Sequence, residues 1–140
     1  MLKLNYLKEG DYVIAEYEGQ NMEGVVRGLH RDDDNEVCVE TDVQEFWFKP
    51  EHLSGIALTE EQLFKFGFLK QENEDNSVKY MKGPFRLVTP LKGEFSLLEI
   101  WYREDRRFFT VPLFVHELQH HYHDMTKVNL IKGETIRQSL

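Results

Sequence analysis

The sequence predicts an α+β fold: a small β-barrel over residues 1–57, then an antiparallel sheet flanked by two short helices over residues 58–130, and a frayed tail at 131–140. Three observations predict it. Short alternating apolar runs, separated by turn residues, fill the first 58 positions, as half-buried strands do. A full set of helix start and stop signals stands at residues 58–68. Four more strand-like runs then lead to VHELQHHYHDMT, residues 115–126, whose apolar residues recur at helical spacing.

Residues 11–17 (DYVIAEY) alternate around Val13, Ala15 and Tyr17 and form the first expected strand. Glu18-Gly19-Gln20-Asn21 is polar and turn-prone. Residues 24–30 (GVVRGLH) follow as a second strand, with Gly28 marking a bulge or sharp bend. Asp32-Asp33-Asp34-Asn35 is a hairpin turn, because short acidic and amide side chains bond the local backbone and tolerate left-handed geometry. Strands are expected again at 36–40 (EVCVE), 45–49 (EFWFK) and 55–58. Pro50-Glu51-His52-Leu53 lies between the last two, and proline at a first helical position predicts one 3₁₀ turn there. Five short strands with a 3₁₀ turn before the fifth is the layout of an SH3-like barrel.

Thr59 is an N-cap, and Gln62 three positions on makes a capping box. Leu58 before the cap and Leu63 inside the helix suit a hydrophobic staple. Gly67 fits the left-handed position after the last turn, with Phe68 as the apolar residue beyond it. The first helix therefore covers residues 60–66, with Phe64 and Phe66 in the core. Residues 71–76 (QENEDN) are a solvated loop; 77–82, 85–91, 94–102 and 107–111 are strands, the third being the most apolar and central. Pro112 opens the closing helix, which runs to Thr126.

Composition narrows the function. The net charge is −8, and residues 1–58 hold 13 acidic and 5 basic side chains against 12 and 12 in residues 59–140. All the excess acidity lies in the first part. A phosphate-binding surface must be positive, so nucleic acid is not the expected partner of that part. No apolar run approaches the roughly 18 residues of a membrane span, and the start MLKLNYLKEG lacks a signal-peptide core, so no membrane partner is expected. The lone Cys38 has no partner for an intrachain disulfide, which points to the cytoplasm, and it lacks the flanking features of a nucleophile. Arg103, Arg106 and Arg107, interleaved with Glu104 and Asp105, read as a solvated turn; Trp47 and Trp101 read as core. There is no phosphate-cradling glycine loop and no serine elbow.

The closing helix carries His116-Glu117-Leu118-Gln119-His120, an H-E-x-x-H pattern. In a zinc hydrolase, His116 and His120, one turn apart, would hold the ion and Glu117 would act as base. Such a centre also needs a third ligand and an open position. His123 lies about 10 Å along the axis from His116, too far to share one ion. His30, His52 and Asp124 remain as candidates, with nothing to single one out. On a helical wheel Val115, Leu118, Tyr122 and Met125 share a face, while His116, His120 and His123 lie about 150° away. That arrangement predicts a structural helix with its histidines toward solvent, and neither metal nor cofactor. Zinc on HELQH is the alternative.

Two blocks resemble a known pattern. Ile56-Ala57-Leu58-Thr59-Glu60-Glu61, Leu63 and Lys65-Phe66-Gly67-Phe68 resemble I-x-L-T-E-E…K-F-G-F. Val115-His116, Leu118-Gln119, Tyr122 and Thr126 resemble V-H-x-L-Q-x-x-Y-x-x-x-T. Both occur in a family of small uncharacterised proteins from gut bacteria and their prophages and mobile elements. The resemblance covers most of residues 9–130 and implies a β-rich N-terminal piece but no activity. That pattern admits Gln where Glu117 stands and Asn where His120 stands, and neither could serve as base or ligand. Lys127 departs from it, since the pattern favours Gly there. The expectation is a cytoplasmic, non-enzymatic protein of phage or mobile-element type that binds another protein, docking on the acidic barrel or at the junction of the two halves. The alternative is a compact zinc hydrolase, and a weaker one is nucleic-acid binding through the neutral second half.

Overall fold

The computed structural model describes residues 6–30 and 35–133. Two compact units form: Met1–Ile56 with Phe114–His116, and Ala57–Leu113 with Glu117–Leu140. Among the described residues each unit holds one five-stranded antiparallel sheet, which makes the fold α+β with mostly antiparallel strands.

The first sheet comprises β1 (Tyr12–Tyr17), β2 (Gln20–His30), β3 (Glu36–Glu40), β4 (Glu45–Phe48) and β5 (Leu53–Ser54), in the order β4-β3-β2-β1-β5. β1 and β2 meet at Tyr17 and Gln20 around a two-residue turn, in which Glu18 (φ 51°) and Gly19 (φ 78°) are both left-handed. Such a turn matches the twist of a hairpin. β2 thus starts four residues earlier than alternation alone suggested. Its register against β3 shifts between Val26 and Gly28, a bulge at the glycine marked in the sequence. The Asp32-Asp33-Asp34 part of the next turn lies outside the described residues.

Val13, Ala15, Val26, Val37, Val39, Phe48 and Leu53 line one face of this sheet and, with Leu7, make its core. The 3₁₀ turn falls at Pro50–His52, and the fifth strand is two residues at 53–54, not four at 55–58. A closed barrel does not form: among the described residues β4 and β5 share no hydrogen bonds, and the sheet stays open between them. It is nonetheless strongly curled. On a flat sheet the three steps from β1 to β4 would separate their backbones by about 14 Å, with side chains standing perpendicular. Here the Tyr17 and Phe46 ring centroids are 5.0 Å apart.

The second unit opens with α1 (Glu60–Lys65). The Gln62 N–H donates to Thr59 Oγ1 at 3.3 Å, so Thr59 is the cap. At the other end Gly67 (φ 89°) is left-handed, Gly67 N–H donates to Phe64 O and Phe68 N–H to Leu63 O, the paired bonds of a Schellman stop. The second sheet follows as a meander of β6 (Leu69–Glu72), β7 (Val78–Lys82), β8 (Phe85–Thr89), β9 (Leu98–Tyr102) and β10 (Asp105–Phe109). β6 begins before the stretch expected to be loop, because Leu69–Glu72 pairs along β7. Val78, Tyr80, Phe85, Leu87, Leu98 and Ile100 share one buried face. Tyr80 donates its hydroxyl to Glu60 Oε1 at 2.8 Å, and Lys70 Nζ reaches the same oxygen at 2.8 Å, tying α1 to the sheet.

α2 (Val115–Thr126) ends where Lys127 turns left-handed at φ 65°, the geometry that Gly supplies without strain. Leu118 and Tyr122 are buried, with the Tyr122 ring 4.8 Å from Phe85. Gln119 is buried as well and donates to Leu130 O at 3.1 Å, which fastens the segment after the helix. Residues from 134 onward, within the expected frayed tail, lie outside the described residues. No helix among the described residues is long and apolar enough to cross a membrane.

Candidate functional site

The histidines of α2 do not share one environment. His116 is buried, its ring stacked on Phe114 at 5.9 Å and 10°. This corrects the solvent-facing expectation. Phe114 is held beside it because Gly55 has no side chain: a Cβ there would stand 2.5 Å from the Phe114 ring. His120 is half-buried and His123 exposed, although His123 lies only about 20° from His116 on the wheel. Position along the axis, not azimuth, separates them. Glu117 is half-buried. Among the described residues no group of three or more His, Cys, Asp or Glu side chains is arranged to hold a metal ion. His52 pairs with Glu16 at 3.5 Å, His30 packs edge-on against Trp47, and Asp124 lies 3.5 Å from Arg107.

His121, passed over in the sequence, has the most developed chemistry on the helix. Arg107 holds Asp105 through two bonds, at 3.2 and 3.0 Å, and its Nη1 lies 2.9 Å from His121 Nδ1. A guanidinium only donates, so Nδ1 accepts and the ring is neutral. Burial first, and the Arg107 charge second, hold the His121 imidazole below its ordinary value. The ring also packs edge-on against Phe109 at 4.9 Å. The signal was present: His121 stands at i+3 from Leu118 and i−4 from Met125, bordering the apolar stripe. Arg107 is thus a half-buried anchor and not part of a solvated turn.

Cys38 lies on the outer face of β3, buried, and its thiol donates to Glu45 at 3.3 Å. Burial, then that carboxylate, push the thiol up to about 11, the opposite of a nucleophile's poise. On the outer face of the second sheet Trp101 is partly exposed, but the Arg106 guanidinium already covers its ring at 4.2 Å. That ring face is not open to a base.

The first unit instead presents a groove of about 630 Å³. Its aromatic wall is Tyr17, Phe46, Trp47 and Phe48. Tyr17 and Phe46 are each 38% exposed and Trp47 49%, high for rings that could have been core. Phe46 is tilted to Tyr17, and the two rings make a continuous exposed surface; Phe48, edge-on to Phe46 at 6.0 Å, is buried in the core beneath them. Its charged lining is Glu16, Glu18, Glu36 and Glu51 against Lys49, with His52 next to Glu16. The elements explain the placement. Tyr17 ends the core-facing row of β1, Glu18-Gly19 is the hairpin tip, Phe46 and Phe48 are the core-facing residues of β4, and Glu51-His52 sits on the 3₁₀ turn. Sequence reasoning missed this site. The available signal was EFWFK: three successive aromatics give a strand two apolar faces, and a short edge strand cannot bury both. Comparison with protein-family models, with curated proteins and with solved structures found no match.

Proposed function

We propose that this is a non-enzymatic interaction protein whose first unit, an open sheet of SH3-like layout, holds a basic segment of another protein in the groove beside β4. The observation that supports it is the lining: the exposed rings of Tyr17, Phe46 and Trp47, four carboxylates around them and a single lysine. Ring faces and carboxylates both attract an ammonium or guanidinium, and complementary charge gives such a surface its selectivity. The same lining repels phosphate, which favours protein over nucleic acid. A phage or mobile-element setting rests on the resemblance of the Ile56–Phe68 and Val115–Thr126 blocks, and a cytoplasmic location rests on the single cysteine, which has no partner for an intrachain disulfide.

The test uses the full chain and calorimetry with capped peptides of alternating Lys and Thr, or of alternating Glu and Thr. The lysine peptide is expected to bind and the glutamate peptide not. Reversing two exposed groove carboxylates, Glu16→Lys with Glu51→Lys, should weaken the lysine peptide at least about tenfold, since like charges are then juxtaposed. Circular dichroism checks that the variant is folded. Binding unaffected by the reversal, or shared by the glutamate peptide, would overturn the proposal.

A further inference from the structure

The groove follows an edge. Phe46, Trp47, Phe48 and Lys49 are consecutive, and all four line it. Successive strand residues point to opposite faces, so a surface reached by four in a row runs along the side of the strand. β4 is the terminal strand of its sheet and pairs with β3 alone among the described residues.

The register tells which backbone groups point outward. Thr41 N–H donates to Gln44 O at 2.9 Å, which makes 41 and 44 a hydrogen-bonded pair. Bonded and non-bonded pairs alternate in an antiparallel ladder. Val39–Phe46 and Val37–Phe48 are therefore bonded, and the N–H and C=O of Glu45 and Trp47 are directed off the edge. No backbone hydrogen bond from outside the sheet meets them among the described residues. Natural edge strands usually block such a row with lysine, proline or a covering element. β4 is short and is closed at its end by Lys49-Pro50, but between Glu45 and Phe48 it has no such block among the described residues, carries an aromatic on each face and borders an open groove.

We infer that the partner segment binds as an added β-strand along β4, its backbone pairing with Glu45 and Trp47. The inference rests on the groove reading and says how the groove is used. Main-chain bonds would supply affinity without regard to sequence, and alternate side chains would supply selectivity. Every second side chain of the added strand falls on the face that carries the exposed rings of Phe46 and Tyr17, where a cation lies over ring faces. The partner is thus an extended stretch with Lys or Arg at alternate positions. An acidic or compact ligand does not fit.

The probe is the alternating Lys-Thr peptide and two versions of it, one N-methylated at every Thr amide and one at every Lys amide. Only one of these sets of N–H groups can face β4. One methylated peptide is expected to bind about tenfold more weakly and the other within about threefold of the parent, the loss matching a few backbone hydrogen bonds. In the wild-type protein, bound parent peptide should slow hydrogen exchange at the amides of Glu45 and Trp47. Equal affinity of all three peptides, or equal loss in both methylated ones, with exchange at Glu45 and Trp47 unchanged, would overturn strand addition and leave the groove reading standing. Failure of the unmethylated peptide to bind at all would overturn both.

Discussion

A methyl group at Gly24 probes the packing that curls the first sheet. Gly24 lies in β2 opposite Val13, facing the core. A Cβ there would stand 2.6 Å from Val39 Cγ1, 2.8 Å from the Glu40 carbonyl oxygen and 3.1 Å from Thr41 Cγ2, against about 3.5–4.0 Å for relaxed carbon contacts. The valine methyl can turn, but the Glu40 carbonyl belongs to the backbone opposite Val25 and moves only if β2 and β3 part. Overpacking of this kind costs about 1–3 kcal/mol. The backbone at Gly24 is not left-handed, so alanine also restricts the unfolded chain and returns about 0.4–1 kcal/mol. Gly24→Ala should therefore lose about 1–2 kcal/mol net. Gly28→Ala is the control on the same strand: its nearest atoms would be Trp47 Cη2 at 3.5 Å and Cys38 Cβ at 3.7 Å, ordinary contacts. It should be neutral or more stable by up to about 1 kcal/mol. Urea unfolding followed by circular dichroism measures both. Equal midpoints, or a Gly24→Ala protein as stable as wild type, would refute the close β2–β3 approach and the curl that brings Tyr17 to Phe46.

His121 gives stability a pH dependence of definite sign. Its pKa is lowered in the folded chain from an ordinary 6.5, so the unfolded chain takes the proton first; the contribution is intact above that value and lost as pH falls through and below it. His121→Gln keeps an acceptor for Arg107 but does not titrate, and its melting temperature should fall less than the wild type's between about pH 8 and about pH 5; parallel curves would remove His121 from the account. Lys127→Gly should stabilise the end of α2 by up to about 1 kcal/mol, the strain of a left-handed non-glycine less the added freedom of the unfolded chain. A lower urea midpoint than wild type would show that Lys127 is not left-handed.

What could be read from the sequence is what short-range chemistry decides. Thr59 caps and Gly67 stops α1 because each acts on backbone groups within a few residues, and no distant partner can change that. Gly28 marks its bulge for the same reason, and the apolar stripe of α2 follows from helical geometry. Alternation located most strands but not their ends, since pairing partners set those: Gln20 joins β2 through Tyr17, and Leu69 joins β6 through Met81.

Tertiary structure decided the rest. His116 and His123 share nearly one azimuth, yet one is buried under Phe114 and the other is exposed, because a wheel records direction and not what lies beside each turn. Arg107 and His121 are 14 residues apart and became partners only when β10 and α2 met. Tyr17 and Phe46 are 29 positions apart and separated by two strands, so no local pattern relates them. The curl of the sheet set their rings side by side and the open edge of β4 left them uncovered, which made a groove from residues that composition alone assigns to a core.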